Sequence, residues 1–140
     1  RLVSLGIPPF LVASSLLGAV AQRLVRTVCP KCRQPHSPGQ EELRLIQQGV
    51  ATGETPQRYH GAGCHACNQT GYRGRKSIYE ILCVSPAIKR MIVDGASDTA
   101  LKEQAVAEGM RTLRASAVDE IRNGATTMEE IMRVVDLKSA

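Results

Sequence analysis

Two cysteine hooks, Cys29-Pro30-Lys31-Cys32 and Cys64-His65-Ala66-Cys67, constrain this chain more than any other feature; 31 residues, Arg33 to Gly63, lie between them. A two-residue spacer lets both thiolates of a hook face one point while the intervening amides bond the sulfurs. Two such hooks complete the tetrahedral shell that zinc demands. Four of the five cysteines fall in these hooks, a placement that chance would rarely produce. A closed shell of four sulfurs leaves no position for water or substrate, so the spacing points to a structural ion and not a catalytic one. Iron in a rubredoxin-like site would use the same ligands. Disulfides would make each hook a redox motif, yet neither hook follows a strand and opens a helix inside a strand-helix-strand unit. His36, His60 and His65 stand near the hooks; with four thiolates at hand, each reads as a loop residue or a neighbour of the ligands.

Rings are scarce. Phe10, Tyr59, Tyr72 and Tyr79 are the whole aromatic set, so Leu, Ile, Val, Ala and Met must fill the core, and a surface that stacks nucleic-acid bases is disfavoured. The net charge of +5 is uneven. Residues 1–77 hold ten Lys or Arg against Glu41, Glu42 and Glu54, whereas residues 78–140 hold eight against ten acids. The cysteine-bearing half is therefore the basic one, suited to a solvated face, a membrane-proximal surface, an acidic partner or nucleic acid. Thiolate hooks without an export signal point to a reducing compartment, the cytosol.

Along the chain, Arg1 to Gly6 reads as the end of a helix already under way, so the chain is expected to be cut from a longer protein. The apolar run Ile7 to Ala21 has two prolines at its front and is too short to cross a bilayer, which needs about 20 residues. It predicts a buried helix from Pro9 to Ala19, followed by a strand over Ala21 to Val28. Between the hooks, Ser37 as N-cap, Pro38 at the first position, Gln40 and a closing Gly49 predict a short helix with Leu43, Leu45 and Ile46 as its apolar stripe. A strand is expected around Arg58 to His60. After the second hook, Arg73 and Arg75 stand at alternate positions of an extended stretch, and a strand follows in which Ile78, Glu80 and Leu82 alternate with Tyr79, Ile81 and Cys83. Cys83 reads as a small core residue.

Four helices are expected beyond that strand. Ser85-Pro86 opens one to Asp94; Ser97 caps a second with Leu101, Ala105 and Val106 inward. A third runs from Thr112 or Leu113 through Ala117, Val118 and Ile121 to Gly124, and Thr127-Met128-Glu129-Glu130 forms a capping box for a fourth carrying Ile131, Val134 and Val135. Together they predict a compact bundle. The class is mixed α/β.

The residues are now specific enough to compare with a family. Leu5-Gly6-Ile7-Pro8-Pro9-Phe10-Leu11-Val12-Ala13-Ser14-Ser15, Ala21-Gln22-Arg23-Leu24-Val25-Arg26, the two hooks, Gly71-Tyr72-Arg73-Gly74-Arg75, Ile78-Tyr79-Glu80 and Gly109-Met110-Arg111-Thr112-Leu113-Arg114 closely resemble the C-terminal part of the type II secretion ATPases. The type IV pilus assembly (extension) ATPases share the pattern. The resemblance implies a hexameric cytoplasmic motor with a RecA-like core, peripheral to the inner membrane, that hydrolyses ATP with Mg2+ to drive secretion or pilus assembly through membrane-platform proteins. It implies residues 1–28 as the edge of that core, 29–70 as a zinc subdomain held by Cys29, Cys32, Cys64 and Cys67, and 71–140 as a strand plus helical subdomain. Arg73 and Arg75 become candidates for sensing nucleotide phosphate or an adjoining protomer, a task for which the guanidinium fork is apt; the plainer reading is a salt bridge or solvent exposure.

One departure matters. No Gly-x-x-x-x-Gly-Lys-Ser/Thr occurs in these 140 residues, so the phosphate cradle is expected upstream and the chain alone should not hydrolyse ATP. Two other classes compete: a free-standing zinc-ribbon module that binds nucleic acid through the basic half, and a rubredoxin-like iron redox protein. The motor reading expects no nucleic-acid partner.

Overall fold

The computed structural model describes residues 1–47 and 58–135. A short 3-10 turn over Val3–Leu5 ends at Gly6, and helix α1 follows over Pro9–Ser15, with proline at its first turn where a missing N–H costs nothing. The helix stops short of the expected Ala19. Leu16 is already extended, and strand β1 runs over Gly18–Val28. Tertiary pairing decides this boundary: a Cβ at Gly18 would lie 2.7 Å from the Leu82 carbonyl oxygen, so the backbones approach too closely there for a helix to continue.

Strand β2, Arg33–His36, pairs antiparallel with β3, Arg58–Gly61, in the register Arg33↔Gly61, Gln34↔His60, Pro35↔Tyr59 and His36↔Arg58. The strand expected around Arg58 to His60 is thus present. Helix α2 spans Gln40–Gln47, and its first bond runs from the Leu43 N–H to the Gly39 carbonyl. The start lies later than Ser37-Pro38 because pairing holds His36 extended, and a residue before proline stays extended too. The expected stop at Gly49 and the side chains of Leu45 and Ile46 lie outside the described residues.

Strand β4, Tyr72–Cys83, pairs with β1 in a two-stranded sheet. The amide of Gln22 donates to the Ser77 hydroxyl at 2.8 Å and the Thr27 hydroxyl to the Arg73 carbonyl at 2.6 Å, so the strands run antiparallel. Ile78 is buried and Glu80 and Leu82 half-buried, while Tyr79, Ile81 and Cys83 are exposed. The expected alternation holds, but Cys83 is not a core residue: strand parity puts it on the open side with Tyr79 and Ile81.

Two compact units divide the chain. The first comprises Arg1–Ala21 and Tyr79–Thr112. In it α1 packs on α3, Pro86–Val93, which packs on α4, Asp98–Ala107. Hydroxyls of Ser85 and Ser97 cap α3 and α4, each accepting an N–H at 3.2 Å. Val84, Ile88 and Ala105 form the core, flanked by Leu16, Leu82, Met91, Leu101 and Met110. Val106, expected inward, is 45% exposed; Leu101 and Ala105 set the buried face, and Val106 lies a further 100° around the helix.

The second unit comprises Gln22–Ile78 and Leu113–Ala140. Its core joins Val25 of β1 and Ile78 of β4 to Ala117, Val118 and Ile121 of α5, Leu113–Arg122, and to Ile131 of α6, Met128–Val134, with Val135 beyond. The four helices therefore make two pairs with separate cores, where the sequence predicts one bundle. The apolar faces of α5 and α6 find strand residues, a long-range choice that helical periodicity does not encode.

Candidate metal centre

The four hook cysteines converge. Their sulfurs all lie within 4.8 Å of one another, with Cys64–Cys67 at 3.8 Å, Cys32–Cys67 at 3.9 Å and Cys29–Cys64 at 4.0 Å. A disulfide needs about 2.05 Å, and all five cysteines are free. A tetrahedron with metal–sulfur bonds of about 2.3 Å has edges of about 3.8 Å, close to these three separations. The donor set fits zinc, and it fits iron equally.

Local chemistry builds each hook. Cys29 follows the last residue of β1; its N–H donates to the Gly71 carbonyl at 2.9 Å, and the Cys32 N–H turns back to the Cys29 carbonyl at 3.3 Å. The Ala62 N–H then donates to the Cys32 carbonyl at 3.0 Å, tying the first hook to the approach of the second. Cys64 opens a 3-10 turn over His65–Cys67, and its N–H donates to the Cys67 sulfur at 3.2 Å. Gly71 supplies a second donor to that sulfur, at 3.3 Å. Gly61 and Gly71 touch backbone to backbone: a Cβ on either would strike the other's carbonyl, so both positions need glycine for close approach.

The electrostatics follow from these donors. Burial pushes the Cys67 thiol up, but amide donation from Cys64 and Gly71 outweighs it and brings the group down to about 6. At Cys32, burial dominates, opposed by the Gly63 amide and reinforced by the other sulfurs, and the thiol is pushed up to about 12. Amide donation thus favours the ionised form at Cys67 and burial the protonated form at Cys32, and a bound cation would displace the protons of the set. No histidine joins the cluster among the described residues.

Arg73 and Arg75 are both exposed and lie outside the sulfur cluster. Neither forms an ion pair with a described residue. Gly74 between them has φ 89°, which interrupts the pleat on which their shared direction depended.

Sequence reasoning missed a polar clasp between β1 and α6. Glu130 is fully buried, accepts from the Arg26 backbone N–H at 3.0 Å, from Arg26 Nε at 2.9 Å and Nη2 at 2.6 Å, and from Arg133 at 2.8 and 3.0 Å. Burial alone would raise its carboxyl, but Arg133 and Arg26 hold it down at about 2. The Arg26 guanidinium lies 4.2 Å over the Tyr72 ring, whose hydroxyl meets the Thr127 hydroxyl at 2.6 Å. Only half the expected capping box forms: Thr127 accepts the Glu130 N–H, while the carboxylate turns to the arginines. The helix-start pattern concealed this ion pair, and only the strand position of Arg26 hinted at it.

Residues 1–133 match the family described as type II/IV secretion system protein. The type II secretion system protein E of Dickeya dadantii is 42% identical over 134 residues, covering 96% of this chain and 26% of that protein. The type II secretion system ATPase E of Vibrio cholerae is 41% identical with the same coverage. The type IV pilus assembly ATPase PilB of Myxococcus xanthus is 42% identical, covering 94% of this chain and 24% of that protein. The chain therefore spans about a quarter of the length of these relatives. Among the described residues no helix is long and apolar enough to cross a membrane.

Proposed function

The chain belongs to the type II/IV secretion system protein family, and from that premise we propose that it is the C-terminal part of a hexameric, ATP-hydrolysing motor for type II secretion or type IV pilus assembly. The relatives named above are secretion and pilus-assembly ATPases, and the phosphate-binding loop that such chemistry needs would lie upstream of Arg1. Residues 1–28 contribute to the edge of a RecA-like core, 29–70 form a structural zinc lobe, and 71–140 complete the helical end. The lobe, held by Cys29, Cys32, Cys64 and Cys67, presents a basic surface to inner-membrane platform proteins on the cytoplasmic side, and neighbouring protomers meet near Arg73 and Arg75.

The sulfur cage is the observation that carries the structural role: four ligands at tetrahedral spacing leave no coordination site for substrate. Zinc would supply a permanent cross-link and no chemistry of its own. The surface also supports a larger assembly. Leu5, Phe10, Leu17 and Val20 are 69%, 62%, 84% and 64% exposed, apolar side chains that a motor core would cover.

Elemental analysis of the purified chain tests the metal directly. One zinc per chain in a colourless preparation is expected; visible absorbance with stoichiometric iron would replace zinc by a rubredoxin-like centre. In the full-length parent, Arg75→Ala should lower ATPase turnover more than it lowers thermal stability, and equal loss of both would assign Arg75 a structural role instead. Tight, sequence-selective nucleic-acid binding at physiological salt would favour the zinc-ribbon alternative.

A further inference from the structure

The four hook cysteines are not equally sheltered. Cys29 is fully buried and Cys67 only 6% exposed, whereas Cys32 and Cys64 are half-buried. Cys64 therefore meets solvent, and its sulfur stands 3.8 Å from the sheltered sulfur of Cys67. Both residues belong to one 3-10 turn, so a bond between them would close within a single hook. The Cys32–Cys67 and Cys29–Cys64 pairs, at 3.9 and 4.0 Å, cross from one hook to the other.

An accessible thiolate with a second cysteine poised beside it is the arrangement found where cysteines respond to oxidants. A divalent ion would hold every ligand of the cage as a thiolate, the nucleophilic form. Zinc itself has no electron to give, so oxidation must fall on sulfur. The turn also reaches beyond the cage. The Cys67 sulfur accepts the N–H groups of Cys64 and Gly71 at 3.2 and 3.3 Å, and the Gly71 carbonyl accepts the Cys29 N–H. Tyr72, the next residue, lies under the Arg26 guanidinium and meets the Thr127 hydroxyl at the start of α6. A disulfide sulfur is uncharged and a weak acceptor, so both amide bonds to Cys67 would lose strength once it is oxidised.

Resting on the zinc reading above, we infer that the Cys64–Cys67 hook is a peroxide-responsive switch. The Cys64 thiolate attacks hydrogen peroxide; the O–O bond breaks, a sulfur–oxygen bond forms and hydroxide departs. The Cys67 thiolate then attacks the Cys64 sulfenic acid, forming the sulfur–sulfur bond and expelling the oxygen as a second hydroxide. Two thiolates lose two electrons, and peroxide becomes two waters once both hydroxides take up protons. Only Cys29 and Cys32 then remain as ligands, too few for a closed tetrahedral site. Gly71 and Tyr72 lose their anchor, and the lobe loosens until a thiol reductant restores the hook.

The test treats the zinc-loaded chain with hydrogen peroxide beside a chromogenic chelator and maps the product cysteines by mass spectrometry without reduction. One zinc per chain should be released, with a Cys64–Cys67 disulfide as the principal product. Dithiothreitol and added zinc should restore binding in full. Amide NMR shifts at residues 71, 72 and 127–130 should change in step with release. Cys83→Ser removes the exposed thiol of β4 and should leave the rate of release unchanged. Zinc retained under peroxide, release that fails in Cys83→Ser, a disulfide joining the two hooks as principal product, or sulfonic acid that no reductant reverses would overturn the switch and leave the zinc site standing. A purified chain that holds no zinc would overturn the zinc reading, and the switch with it.

Discussion

Glu130 shows how one carboxylate can serve a strand and a helix at once. It receives the backbone and side chain of Arg26 from β1 and the side chain of Arg133 from its own helix, so its ionised form is satisfied on both oxygens despite complete burial. The folded carboxyl titrates at about 2 against an ordinary 4.5. A depressed acid contributes stability that is fully present above the unfolded value and is lost as pH falls from about 4.5 through about 2. The linkage amounts to about 3 kcal/mol at neutral pH. Glu130→Gln should therefore lower the free energy of unfolding by roughly that amount at neutral pH, with the gap to the parent shrinking in denaturant titrations below about pH 4. A constant gap down to the lowest pH would mean that packing, and not charge, makes the difference.

Among the elements, the β2–β3 ribbon and the 3-10 turn depend on two glycines. Gly71→Ala would drive a methyl into the Gly61 carbonyl and strain a residue held at φ 76°, while disturbing the amide that donates to Cys67 and the carbonyl that accepts from Cys29. Metal affinity should fall at least ~10-fold, as for loss of groups that orient ligands, measured by competition with a chromogenic chelator. The hooks were legible in the sequence because ligand spacing is local chemistry, and so were the caps at Ser85 and Ser97 and the strand at Arg58 to His60. The boundary of α1, the exposure of Cys83 and Val106, and the late start of α2 were not. The boundary of α1 was decided by a partner far along the chain, Leu82 against Gly18, and the start of α2 in part by the pairing of His36 with Arg58; Cys83 and Val106 are exposed because the core took the other face of their strand or helix.

At the scale of the molecule, the cysteine lobe is continuous with the last two helices. The Val28 N–H donates to the Ala125 carbonyl at 2.8 Å, Tyr72 meets Thr127, and a Cβ at Gly124 would lie 2.7 Å from the Tyr59 ring. Reading the insert alone, one expects Cys64→Ser to loosen Cys29 to Cys67 and leave the helical end folded. These contacts instead predict that metal loss loosens α5 and α6 as well, while the core of Val84, Ile88 and Ala105 persists. Chelation followed by limited proteolysis and hydrogen exchange checks this: protection should drop at residues 113–135 and hold at 86–107. Retained protection at α5 and α6 would restore the independent insert.

The meeting of Gly61 and Gly71 also bears on the order of assembly. These two residues are ten apart and bracket the second hook, whereas Cys29 must be recruited from 35 positions away. Short loops close at smaller entropic cost, so the later cysteine pair, with its sulfur already cradled by amides, would form the nascent seat on which an ion first lands. The earlier pair would arrive afterwards, as a latch.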